Sequence, residues 1–263
     1  MPFLERTDVI LARRGFSTNK KIRRFLQRNV FEVNGQRILS GGTRINLFED
    51  TININGSPSD LQPDIYIMMN KKSGRICSNY KDPNLKTDPT LVFQDLPQSL
   101  KEEADKYKLG TLHTVGRLDS DTEGLLIITT NGDYSHRITI PEFHCDKNYY
   151  IKLQKECSPL QQEDYIKKCS QGFFIEAEHN YTSAGYKPAF TCKPSQLTFF
   201  SPDECSLTIS EGKFHQVKRM IKTLGNQVTY LKRTSMGNLH LDPSLLPGHW
   251  RPMTQDEILS VIK

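Results

Sequence analysis

No apolar run in this sequence is long enough to cross a bilayer. The opening residues, Met1-Pro2-Phe3-Leu4-Glu5-Arg6, carry none of the extended apolar core of a secretory leader. A soluble, cytoplasmic protein is therefore expected. Cysteine is sparse, with six residues among 263 and no Cys-x-x-Cys pair. Such spacing suits neither a disulfide framework nor a zinc site. His144 beside Cys145 has no second Cys/His pair to answer it at ligand spacing, so reduced structural thiols and no metal are expected. A glycine-rich dinucleotide fingerprint is also missing, so no nicotinamide or flavin cofactor is expected.

What is present is a modest basic excess, +5 overall, and 36% hydrophobic residues, enough for a sizeable core. The excess is unevenly spread. A short helix is predicted over 7–14, stopped by Gly15, and a second over 18–28, with Ser17 as its N-cap and Asn29 as its stop. Ile22, Phe25 and Leu26 fall at i, i+3 and i+4 and share a buried face. Around them stand Lys20, Lys21, Arg23, Arg24 and Arg28, to which Arg6, Arg13, Arg14, Arg37 and Arg44 add. A charge run is commonly only a solvated face; at this density, on a compact helix-helix-hairpin unit, it also reads as a phosphate-binding patch. Asn34-Gly35 signals a hairpin between strands at 30–33 and 36–38, and further strands are expected over 44–48 and 51–54. Residues 57–63, with two prolines, have linker composition. The expected organisation is a small module over 1–58, a linker over 59–63 that lets the module move, and a large domain over 64–263.

In the large domain a strand is expected over 65–69, a polar loop over 82–90, a strand edge over 91–93 and a helix over 102–108. Leu125-Leu126-Ile127-Ile128 reads as a buried strand. It is fed by the loop Val115-Gly116-Arg117-Leu118-Asp119-Ser120-Asp121-Thr122-Glu123-Gly124, whose aspartate can be held rigidly and still face a cleft. A helix begins after Asn131-Gly132. It carries His136, read either as a base or as an ordinary exposed residue, and Arg137, suited to holding a phosphate. Strand alternation over 147–151 sends Lys147, Tyr149 and Ile151 to one face. Ser158-Pro159 opens a helix ending near Gly172. Val217, Met220, Ile221 and Leu224 form a helical apolar stripe, and Lys218, Arg219 and Lys222 lie off it. Thr254 and Glu257 make a capping box for a last short helix.

These strings resemble, in order, the motifs of the pseudouridine synthases: Asn70-Lys71-Lys72-Ser73-Gly74, with Lys72 where the family prefers proline; Gly116-Arg117-Leu118-Asp119; Lys147-Asn148-Tyr149; Gly212 to Met220; and the closing Trp250-Arg251-Pro252-Met253-Thr254. Residues 135–139, His144-Cys145 and 211–220 look most like the branch acting on 16S rRNA. The first module resembles the S4 RNA-binding domain through Arg6, Asp8, Ser17, Val33-Asn34-Gly35 and Asp50, and departs from it at Thr7 and Val9.

The resemblance implies an α+β fold, in which a small S4-like module precedes a mixed, mainly antiparallel sheet with flanking helices. It implies an isomerase, acting as a monomer on one uridine of 16S rRNA, free or in a partly assembled small subunit, with no membrane partner. Asp119 would be the catalytic carboxylate, Lys218 its partner and Tyr149 the ring stacked on the target base. Arg117 and Arg137 would grip flanking RNA, and Arg6, Lys20, Lys21, Arg23, Arg24 and Arg28 would supply affinity. The alternatives are a 23S rRNA synthase of the same family, a non-catalytic S4-type RNA-binding protein, and a hydrolase using Asp121 or Glu123 as a second acid.

Overall fold

The computed structural model describes residues 4–16, 18–79, 90–140, 145–179 and 186–261. Ser17, His144 and residues 82–89 of the expected polar loop lie outside them.

The first unit holds helices α1 (Thr7–Arg13) and α2 (Ile22–Arg28) and strands β1 (Glu5–Arg6), β2 (Phe31–Val33), β3 (Gln36–Arg37), β4 (Arg44–Ile45), β5 (Ile52–Ile54) and β6 (Ser57–Pro58). Ile22 and Leu26 of α2 are buried against Ile10 and Leu11 of α1 and against Phe31, Ile45 and Ile52, with Phe25 partly buried beside them. Asn34 and Gly35 take φ values of +50° and +77°, the mirror-image turn whose twist matches a two-residue hairpin. Three local expectations need correction. The first turn of the second helix is a tighter 3-10 turn, Asn19–Lys21. The strand expected over 44–48 stops at Ile45 and pairs with β1, because Asp50 accepts a 2.7 Å hydrogen bond from the Asn46 amide and curls the chain there. Ser57 and Pro58, read as linker, extend the small sheet along β5, and Leu61 is buried in the same core.

The rest of the chain is built around one nine-stranded sheet. Its strands are β7 (Tyr66–Lys71), β8 (His113–Thr114), β9 (Glu123–Thr129) and β10 (Lys147–Leu153). The small pairs β11 (Phe174–Ile175), β12 (Glu178–His179), β13 (Tyr186–Lys187) and β14 (Phe190–Thr191) stand apart from it. Then come β15 (Gln196–Phe199), β16 (Glu204–Ile209), β17 (Val228–Met236), β18 (Leu239–His240) and β19 (Trp250–Pro252). The order is β15-β16-β10-β17-β9-β7-β19, with β8 on β9 and β18 on β17. All these pairings are antiparallel except that of β17 with β9.

Helices α3 (Gln98–Lys106), α4 (Gly132–Thr139), α5 (Pro159–Gln171), α6 (Gln216–Thr223) and α7 (Gln255–Ser260) complete the unit. One core lies on the α5/α6 face with Leu126, Ile128, Tyr149 and Ile151, and a second on the α4/α7 face with Leu125 and Ile127. Strand β9 is thus covered on both faces, which is why its sequence is continuously apolar. Each such Leu or Ile contributes about 1.5–3 kcal/mol by its burial. Asn131, Ser158 and Thr254 cap α4, α5 and α7 through their side chains. The strand edge expected over 91–93 is instead a 3-10 turn, Val92–Asp95, with Leu91 bridging Ile76.

The two units meet through a buried polar cluster. Arg14 bonds Asp64 at 2.9 Å, and Arg13 bonds Asp64 at 2.9 Å and Glu5 at 2.6 Å. Asn131, while capping α4, donates to Glu5 and Asp64. Arg13 and Arg14 therefore face inward and leave the basic surface in which the sequence placed them. Removing one partner would strand a buried charge, so the connection is no free tether.

Candidate active site

Strand β9 is preceded by the aspartate loop, and the end of β7 holds that loop from beneath. Lys71 is fully buried, and its Nζ donates to the backbone oxygens of Asp119 (3.0 Å), Ser120 (3.1 Å) and Thr122 (2.7 Å). Gly74 N–H donates to Ser120 O at 2.8 Å. The ammonium satisfies three carbonyls that the irregular backbone leaves open. Burial pulls its pKa below the ordinary lysine value, partly offset by Cys77, Asp121, Asp119 and Glu123. Gly124 closes the loop at φ +99°, pressed against the β17 backbone at Arg233.

Helix α6 brings the facing charges. Its apolar stripe, Val217, Met220 and Ile221, is buried against the sheet and points Lys218 at the loop. Lys218 Nζ lies 2.9 Å from Asp119 Oδ2 and 2.5 Å from Asp121 Oδ1. Burial works against the Lys218 ammonium, but the bonds to Asp121 and Asp119 outweigh it and hold its pKa above the usual value. Asp121 is held below the carboxylate range, since Lys218 outweighs its partial burial. Asp121 is tied to Lys218, and Glu123 accepts from the Tyr230 hydroxyl at 2.8 Å.

Tyr149 of β10 is buried to 8% exposure and, with Asp119, Lys218, Arg117 and His215, lines a small open cleft of about 70 Å³. Asp119, Tyr149 and Lys218, widely separated in sequence, thus converge, with Arg117 exposed at the rim. Arg137 and His136 are exposed on α4 and do not line the cleft. Lys20, Lys21, Arg23, Arg24 and Arg28 are exposed around α2, while Arg6 is engaged by Asp8 at 2.7 Å. Arg219, read as solvated, is buried: its guanidinium donates to Glu176 O and Pro188 O and lies over the Phe190 ring.

Sequence reasoning missed two residues. Lys71 was legible only as part of a resembling string, since a lone lysine reads as surface. His215 is the histidine beside Asp119, with Nε2 at 3.6 Å from Oδ1, whereas His136 was the one singled out. Its signal lay in the same string as Lys218.

Known proteins resemble this chain along most of its length. A family model described as RNA pseudouridylate synthase matches residues 65–223. The chain is 34% identical over 259 residues to ribosomal small subunit pseudouridine synthase A of Haemophilus influenzae, covering 98% of this chain and 100% of that protein. Its identity to the Escherichia coli protein of the same name is 37% over 238 residues, 88% of this chain and 91% of the other. A crystal structure of a pseudouridylate synthase matches with a TM-score of 0.62 and 32% identity, over 98% of this chain and 99% of that one.

Proposed function

Because the chain belongs to the RNA pseudouridylate synthase family, and is thus an isomerase, we propose that it converts one uridine of 16S rRNA to pseudouridine, with Asp119 as the catalytic carboxylate. The observation that carries this reading is the meeting of Asp119, Lys218 and Tyr149 in one cleft. The small-subunit name of the relatives supports the choice of RNA.

The reaction breaks the N1–C1′ bond of uridine and joins C5 to C1′ of the same ribose; C5 loses a proton and N1 gains one. No electrons leave the substrate, and no cofactor enters the balance. Asp119 serves the glycosidic step, by addition at C1′ or by removing a sugar proton, and an ionised oxygen is required either way. Lys218 supplies the counter-charge that keeps a carboxylate under a base from becoming costly. The Tyr149 ring offers the flipped uracil a face to stack on, worth about 1–3 kcal/mol per base. Arg117 at the rim grips flanking phosphate, and Arg137 extends that grip. The first unit acts as an S4-type RNA-binding domain through Lys20, Lys21, Arg23, Arg24 and Arg28, with Arg6 at its edge. The enzyme works as a monomer, on free 16S rRNA or on a partly assembled small subunit.

The test is to map pseudouridine at nucleotide resolution in naked 16S rRNA, in 16S rRNA bound to small-subunit proteins, and in 23S rRNA. A single new pseudouridine in either 16S form is expected. Modification of 23S rRNA alone would overturn the choice of substrate, and binding without modification would overturn the catalytic reading.

A further inference from the structure

Asp119 has two carboxylate oxygens with different neighbours. Lys218 holds Oδ2, and His215 Nε2 stands 3.6 Å from Oδ1, facing the same cleft. Two backbone features and one ring contact set its position. His215 has a left-handed backbone, φ +51°, immediately before the first residue of α6. Its ring stacks on Phe214 with centroids 3.9 Å apart. The Arg219 amide also bonds the His215 carbonyl at 3.0 Å and fixes the turn to the helix. Left-handed backbone at a residue other than glycine is a costly conformation that surrounding structure must impose. Here it turns the ring back over the loop.

We propose that His215 is a positioning residue: as an uncharged imidazole it donates from Nε2 to Asp119 Oδ1 and, opposite Lys218, fixes the plane of the carboxylate toward the ribose. The inference rests on the reading of Asp119 as the catalytic carboxylate and deepens it. A separation of 3.6 Å is slightly beyond hydrogen-bond length, and such contacts in active sites tighten as substrate binds.

The neutral state matters. A protonated His215 would add a second positive charge beside Asp119, next to that of Lys218, and make the carboxylate a weaker base and nucleophile. The groups facing the ring are Asp119 and Asp121 from the loop, Lys218 from α6 and Lys187 from β13. Burial is the strongest influence and lowers the pKa below the ordinary histidine value; Lys187 and Lys218 act the same way, and the two aspartates oppose them. The ring is thus uncharged at neutral pH and becomes charged only in acid, where activity should fall.

Two variants and one titration test this. His215→Phe keeps a ring to stack on Phe214 and removes the donor. His215→Gln keeps an N–H at comparable reach and cannot titrate. With folding checked by thermal unfolding, His215→Phe is expected to lower kcat about tenfold, as befits one directed hydrogen bond, with KM within about twofold. His215→Gln is expected to recover most of kcat and to lose the acid limb of the pH profile. Wild-type kcat in His215→Phe, a loss in His215→Gln equal to that in His215→Phe, or an unchanged acid limb in His215→Gln would each overturn the proposal. Separately, the His215 ring is titrated by NMR in the wild type and in Asp119→Asn. Its pKa should drop when the Asp119 charge is removed, and an unmoved pKa overturns the coupling. That titration needs no RNA, so a failure of the functional reading, seen as no pseudouridine in any rRNA, is told apart from a failure of the His215 contact.

Discussion

Gly124 stands where the aspartate loop enters β9, the strand on which the site is built, and adding one methyl group there should dislodge both. Its φ is +99°, and a Cβ would lie 2.2 Å from Arg233 O and 2.8 Å from Arg233 N, both backbone atoms of the paired strand β17. The left-handed conformation alone costs an alanine about 1–2 kcal/mol. The clash cannot be relieved by a rotamer; β9 and β17 must separate, breaking a buried ladder. The sum is about 4 kcal/mol or more, among the largest losses from single substitutions. Gly116, at the other end of the loop, provides the control: φ is +70°, but the nearest atom to its Cβ is Thr139 Cγ2 at 3.8 Å. Gly116→Ala should therefore cost only the conformational part, about 1–2 kcal/mol. For a chain of this size each kcal/mol moves Tm by roughly 2–4 °C. Thermal unfolding should show a fall on the order of 10 °C for Gly124→Ala and a few degrees for Gly116→Ala. Turnover below the transition should drop far more in the former, because Asp119 moves with the strand. Equal, small shifts in the two variants would refute the claim that the β17 backbone defines this end of the loop.

Other consequences are open to measurement. Lys218→Met removes one charge-assisted bond to Asp119, about 1.5–3 kcal/mol, so single-turnover kcat should fall roughly 10- to 100-fold with RNA affinity unchanged; a purely weakened Kd would remove Lys218 from the chemistry. Lys71→Met leaves three loop carbonyls without their donor and relieves the burial of an ammonium; a net loss of about 2 kcal/mol in urea unfolding is expected, accompanied by lower activity, and unchanged values for both would contradict the anchoring role. Glu178 is held down to about 2 by the bonds from Lys222 and Lys187. Its contribution is thus fully present above the ordinary carboxylate pKa and lost as pH falls toward 2, so Glu178→Gln should flatten the acid slope of stability in that window; an unchanged slope would exclude the pairing as its source. Lys21→Ala with Arg24→Ala should weaken RNA binding evenly across sequences and reduce the salt slope by about one to two. No change in that slope would place the RNA elsewhere.

Much of this architecture was legible in the sequence because local and tertiary signals agree. The run from Leu125 to Ile128 is apolar at every position, and β9 is buried on both faces. Asn34-Gly35, Ser158-Pro159 and Thr254 to Glu257 sit where their turn and capping chemistry requires. Asp119, Tyr149 and Lys218 were legible because each lies in a motif string, although Lys218 is 99 residues from Asp119. Direction of charge was not legible. Arg14 finds its carboxylate 50 residues away, and Arg219 finds carbonyls 43 and 31 residues away, so nothing local tells either from a surface arginine. Lys71 is the same case, with its acceptors on a loop about 50 residues downstream. His215 was hidden by a different cause: its aim depends on a left-handed turn that histidine adopts only under tertiary constraint. Leu91 to Phe93 carry strand-like residues but make a 3-10 turn, since the chain there bridges Ile76 for one residue only.

The central claim, that Asp119 performs the glycosidic step, is tested most directly by tritium release from 16S rRNA labelled at C5 of uridine. Wild type and Asp119→Asn are compared, with matched Tm and RNA affinity as controls for folding and binding. The account expects release from the wild type in step with pseudouridine formation, and none above background from Asp119→Asn, whose amide matches the carboxylate in shape but carries no charge. Release by Asp119→Asn at the wild-type rate, or the appearance of free uracil in place of pseudouridine, would contradict it.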